Sequence, residues 1–73
     1  MREYCIKLPD RPGELANLCE TLASNDINIL TAAAMTANGA VLAIVTDDDG
    51  GTNTVLDNLG YEYAEDEVLL VTL

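Results

Sequence analysis

The stretch Leu8-Pro9-Asp10-Arg11-Pro12-Gly13-Glu14-Leu15 separates two different hydrophobic periods. Before it, Tyr4, Ile6 and Leu8 alternate with Glu3, Cys5 and Lys7, the period of a half-buried strand. After it, Leu15, Leu18, Cys19, Leu22 and Ala23 fall at i, i+3, i+4, i+7 and i+8, the stripe of an amphipathic helix. Glu14, Asn17, Glu20, Thr21 and Ser24 take the opposite face. The stretch is therefore a strand-to-helix corner. Its prolines fix φ and cannot donate to a sheet ladder, so the strand stops there. Asp10 is suited to cap the helix and Pro12 to sit in its first turn, where a missing N–H costs nothing. Gly13 allows the backbone to turn and leaves its N–H accessible. A helix N-terminus with unpaired amides favours a carboxylate or phosphate, which makes this corner the first candidate for a ligand site.

The helix is expected to end at Asn25-Asp26, with Asn25 in the left-handed position after the last turn. Ile27 to Thr36 reads as a strand despite its alanines, because Asn38-Gly39 is a two-residue hairpin signal and Ala40 to Thr46 follows as its partner. The small side chains of the first of these strands leave room for another backbone to come close. Asp47-Asp48-Asp49-Gly50-Gly51 reads as a solvated acidic turn and linker, since it lacks the register of a calcium-binding loop. A second helix is expected from about Thr52 to Leu59, with Val55, Leu56 and Leu59 inward and Gly60 in the left-handed position after it. Tyr61 to Glu67 reads as a charged approach, its tyrosines against the sheet edge with their hydroxyls in water, leading to a last strand over Val68 to Leu73.

The order β-α-β-β-α-β predicts an α+β fold of the ferredoxin-like type: a four-stranded antiparallel sheet with both helices on one face. The second, third and fourth strands, as read here, are apolar on both faces. A strand of that kind is covered on both faces, and with no third helix to do so the cover is expected from another subunit.

Length and charge narrow the partners. Seventy-three residues suffice for one domain, taken as 1–73. A chain of this size buries only about 60% of its unfolded surface, so a partner subunit would help it. At 49% hydrophobic the chain is too apolar for disorder. It has no apolar run of about 18 residues. With no signal-peptide pattern either, a cytoplasmic location is expected and a membrane is not a partner. Thirteen acidic residues against three basic ones give a net charge of −10, which repels nucleic acid and anionic lipid. Plain solubility explains such a surface, and so does adaptation to high salt; composition leaves both open. Cys5 and Cys19 fit no metal, haem or redox spacing and read as reduced thiols, Cys19 in the core.

The corner Asp10-Arg11-Pro12-Gly13-Glu14-Leu15, followed about a dozen residues later by Ile27-Asn28-Ile29, resembles the ACT domain family across essentially the whole chain. The Gly39 hairpin and Gly60-Tyr61 agree with that pattern. The resemblance implies a regulatory module that binds an amino acid or similar metabolite between two copies, using the loop after the first strand and the start of the second. Carried to matching positions, it implicates Asp10, Arg11, Pro12, Gly13, Leu15 and Asn28. Amides near Gly13 are suited to a ligand carboxylate and Asp10 to an ammonium group, while Asn28 offers a donor and an acceptor. ACT domains are often fused to a metabolic enzyme. None lies in these residues, so the expected partner is a separate enzyme or another ACT-containing protein.

Catalysis has little support. The chain has no histidine, and neither cysteine has a base beside it in sequence. Arg11, between Asp10 and Pro12, does not resemble the arginine of an acyl-phosphate cradle, and no Cys-x-x-Cys loop follows the first strand. No cofactor or metal is expected. The reading is an amino-acid-sensing module acting as a homodimer or higher homo-oligomer, with a ligand-free oligomerisation or docking module as the alternative.

Overall fold

The computed structural model describes residues 1–9, 13–35 and 40–69, with Met35 described by its backbone alone. The elements are β1 (Arg2–Leu8), α1 (Glu14–Ser24), β2 (Ile29–Met35), β3 (Ala40–Thr46), α2 (Asp49–Leu59) and β4 (Glu62–Glu67). The strands form one antiparallel sheet in the order β2-β3-β1-β4. With two helices in the order βαββαβ, this is the ferredoxin-like fold expected from the periodicities. β2 and β3 pair from Met35 opposite Val41, as the hairpin reading requires, although its Asn38-Gly39 turn lies outside the described residues.

The core lies between the sheet and the helices. Tyr4 and Ile6 of β1 and Leu42 and Ile44 of β3 meet Leu18 and Leu22 of α1 and Val55 and Leu56 of α2, with Ile27 closing one end. The alternation of β1 is thus realised: Tyr4 and Ile6 are fully buried, while Lys7 on the other face is exposed. The stripe of α1 is rotated from its expected position. Leu18 and Leu22 are fully buried, but Leu15 is 46% exposed and Ala23 is also exposed. Glu14 and Thr21, expected on the wet face, are instead half-buried. Cys19 is half-buried rather than a core residue.

The largest departure is the last strand. β4 is the acidic segment Glu62–Glu67, which pairs with β1 from Lys7↔Glu62 to Arg2↔Glu67. Val68 only extends this pairing by one bond, its N–H donating to the Met1 carbonyl at 3.0 Å, and Leu69 is 93% exposed. The rest of the apolar segment, 70–73, lies outside the described residues. An edge strand with one open face needs few apolar side chains; β4 supplies Tyr63 to the helix side and leaves carboxylates elsewhere. Among the described strands, therefore, only β2 and β3 are apolar on both faces. On the side away from the helices, Ala33, Ala43, Cys5 and Ala64 stand in one row across the sheet.

α2 starts three residues earlier than expected, because the acidic turn is its cap. Asp48 is the N-cap residue, and its carboxylate accepts from the Gly51 N–H at 2.9 Å. Gly50 and Gly51 are helical rather than a linker. A side chain at Gly51 would stand 2.5 Å from Asp48 Oδ2 and 3.0 Å from Ile27 Cδ1, so the glycine allows the first turn to seat on its own cap. Beneath it, the buried Thr46 and Thr52 hydroxyls share a hydrogen bond of 2.7 Å, and Thr52 also bonds the Asp48 carbonyl. At the other helix ends, Gly60 is left-handed as expected (φ 76°). After α1, however, Asp26 (φ 59°) takes the left-handed role given to Asn25.

Candidate functional site

The corner is built on Gly13. Its φ of 81° places it in the left-handed region, and it occupies the N-cap of α1 with no side-chain cap bond. The helix then begins at Glu14, and the first backbone bond runs from the Asn17 N–H to the Gly13 carbonyl at 2.9 Å. Asp10, Arg11 and Pro12, with the capping and binding roles given to them, lie outside the described residues. Gly13 and Leu15 are both exposed beside one another at this helix start. A carboxylate of the helix itself is anchored here: the Tyr61 hydroxyl donates to Glu14 Oε2 at 2.6 Å.

Asn28 is exposed as well, but at the other end of the sheet. β1 reaches the corner at Leu8, opposite Ala40, whereas β2 begins at Ile29, opposite Thr46. The length of β3 lies between, about 20 Å at the rise of an extended strand. The sheet therefore joins Gly13 with Leu15 and keeps Asn28 away from both. Within one chain these residues do not line a common pocket.

The surroundings of Asn28 contain a residue that sequence reasoning passed over. Asp47 Oδ1 accepts from the Asn28 backbone N–H and Oδ2 from Asn28 Nδ2, both at 2.9 Å. The Asp47 N–H in turn donates to the Asn28 carbonyl at 3.1 Å. The backbone bond from Asn28, followed by its side-chain bond, holds the Asp47 carboxyl below the ordinary range. One N–H of the Asn28 amide is thus engaged within the chain.

A second polar network ties β4 to α2. The buried Tyr4 hydroxyl lies 2.8 Å from Asn53 Oδ1 and 2.9 Å from the Asp49 carbonyl, with one hydrogen to share between them. Asn53 Nδ2 donates to Glu65 and to the Tyr63 hydroxyl, which donates onward to Asp57 Oδ1 at 2.7 Å. The hydroxyls of Tyr61 and Tyr63 are thus bonded to carboxylates rather than left to water. Burial, followed by the charges of Asp49 and Glu65, pushes the Tyr4 phenol up to about 12. Burial and the neighbouring Glu3 likewise push the Cys5 thiol up, away from the thiolate a nucleophile needs. Among the described residues no group of three or more acidic or cysteine side chains is placed to hold a metal ion, and no helix is long and apolar enough to cross a membrane.

These features define a two-layer α/β module whose exposed glycine corner and Asn28 stand at opposite ends of one sheet. Its fold is similar to that of protein BT0572 from Bacteroides thetaiotaomicron, with a TM-score of 0.81 and 18% sequence identity over 89% of this chain and 46% of that one. It is also similar to the ligand-free regulatory subunit of aspartate kinase from Thermus thermophilus, with a TM-score of 0.72 and 19% identity over 89% of this chain and 48% of that one. The chain spans about half the length of each of these proteins. No family model and no curated protein matches the sequence.

Proposed function

We propose that residues 1–73 constitute one ACT-like domain that binds an amino acid or similar small metabolite between two copies and regulates a separate metabolic enzyme. The observation that carries this reading is the placement of Gly13 and Asn28 at opposite ends of the sheet. Two copies related by a two-fold axis beside β2 run their sheets in opposite directions, so the Asn28 of each comes level with the corner of the other. Charge favours the same arrangement. From Ile27 to Thr46 the chain has no charged residue, and this is the part in which two copies of net charge −10 can approach closely. The exposed, uncharged β2 edge has unpaired backbone groups able to accept a second β2. The likeness to the regulatory subunit of aspartate kinase supports regulation rather than catalysis.

A ligand-free docking module is the second reading, and the Asn28–Asp47 bonds favour it, because they engage one N–H of an amide that a ligand would otherwise use. A thermal-shift screen of the common amino acids, in low and molar salt, separates the two. A ligand at a hundred times its dissociation constant adds about 2.7 kcal/mol of stability, several degrees in midpoint for a chain this short. The sensing reading predicts such a rise with at least one amino acid and its loss in Asn28→Ala. No rise with any of them leaves the docking module.

A further inference from the structure

We propose that the cleft between the ends of β1 and β4 is a second binding site, one for a small zwitterion. It differs from the Gly13–Asn28 arrangement and lies within a single chain. Lys7 and Glu62 are direct partners across the β1–β4 ladder, where opposed side chains start about 5 Å apart. Opposite charges so placed can close on one another, but these two form no ion pair in the structure. The ion pairs among the described residues all belong to Arg2 or the Met1 amino group, with Glu65 or Glu67 as partner. Lys7 and Glu62 instead border a cleft of about 240 Å³, completed by Leu8, Pro9, Gly60 and Tyr61. This is smaller than the roughly 300–1,000 Å³ of pockets that take drug-sized ligands. Tyr61 is a fixed wall, since its hydroxyl is bonded to Glu14 on α1.

The charge of the whole chain selects the ligand class. A simple anion attracted to Lys7 meets the field of a molecule with net charge −10. A simple cation has carboxylates over the whole surface to choose from, so Glu62 offers it nothing distinctive. A zwitterion carries no net charge against that field. It alone uses both groups at once, its carboxylate at Lys7 and its ammonium at Glu62.

The test is an amide-resolved NMR titration of the full chain with glycine, acetate and methylammonium as probes. Glycine is expected to move the Lys7, Tyr61 and Glu62 signals saturably, and the single-charge probes to bind at least about tenfold more weakly. Lys7→Gln and Glu62→Gln, both at exposed positions, each weaken glycine by about tenfold with the spectrum otherwise retained. The exchange variant K7E/E62K restores binding to within about threefold, because a zwitterion can enter in either direction. Equal response to acetate, indifference to both glutamine variants, or no saturable shift at these residues overturns the proposal. Shifts at Gly13 and Asn28 without shifts here overturn it too, and leave the intersubunit reading standing. Shifts here that persist in Asn28→Ala support it whatever becomes of that reading.

Discussion

Asp47 grips Asn28 with both carboxylate oxygens while its own N–H returns a bond to the Asn28 carbonyl, so the start of β2 and the end of β3 are fastened by three hydrogen bonds. Asp47→Ala removes both carboxylate bonds, whereas Asn28→Ala removes only the one to its amide. Chemical denaturation should therefore rank Asp47→Ala as the more destabilising. The Asp47 carboxyl is held below its ordinary value, so the stability it contributes is present above the usual carboxylate range and is lost as pH falls through the lowered value. The acid limb of a melting-temperature profile should flatten in Asp47→Ala.

Rotation of the α1 stripe separates three leucines that look alike in sequence. Leu18 and Leu22 have no exposed surface, so Leu18→Ala or Leu22→Ala should cost about 2–5 kcal/mol, enough to threaten folding in a chain this small. Leu15→Ala at the exposed corner should cost less than about 1 kcal/mol. Comparable losses at Leu15 and Leu18 would contradict the packing described.

Gly13 has nothing within 4 Å of the place a Cβ would take, so its substitution meets backbone strain and no steric contact. Gly13→Ala should lower stability by about 1–2 kcal/mol. D-alanine, incorporated by chemical synthesis, should restore or exceed the parent value, because the left-handed region is favourable for it. Equal effects of the two enantiomers would count against the left-handed corner.

Tyr4 gives the chain an alkaline limit. Its phenol is pushed up to about 12 in the folded protein against about 10 in an unfolded chain, so its contribution is intact below pH 10 and disappears as pH rises through 12. The loss amounts to about 1.4 kcal/mol per pH unit in that window. Tyr4→Phe should cost about 1–2 kcal/mol at neutral pH, since Asp49 and Asn53 lose a buried donor. It should also remove the part of the alkaline fall that Tyr4 causes, as denaturation at a series of pH values will show.

The uncharged half of the sheet predicts a salt-dependent association. Light scattering should find a dimer at molar salt, where repulsion between copies of charge −10 is screened, and a shift toward monomer at millimolar salt. Ala33→Glu, an exposed substitution on β2, should give a monomer at both salt concentrations while leaving the circular dichroism spectrum unchanged. A dimer that persists in Ala33→Glu would place the interface elsewhere.

The first half of the fold was legible in sequence because the hydrophobic period changes abruptly between Leu8 and Leu15, and no other pair of elements accounts for both periods. β4 was misplaced by six residues because apolarity marks buried strands, and an edge strand with an open face can be built from Glu62, Glu65, Asp66 and Glu67 around Tyr63. Its position is set by pairing with β1, a relation between residues about 60 apart that no local pattern carries. The acidic run at Asp47 to Asp49 concealed two separate roles, a clasp and a helix cap, for the same reason. Asp48 before Gly51 is a local capping signal that could have been found; Asp47 with Asn28, nineteen residues away, could not. Of the candidate site, a turn at Gly13 was anticipated by its residue type, but its left-handed N-cap position was not, and its separation from Asn28 follows only from the strand register.

The two margins of the sheet differ in a way that limits how large an assembly can grow. β4 presents Glu62, Glu65, Asp66 and Glu67 along its length, while β2 presents no charge. A head-to-tail stack needs both margins and would bring the acidic one against its neighbour at every step. Two copies joined through β2, as proposed, would use up the receptive margin of each at once, so such an assembly would close at two and no filament would follow.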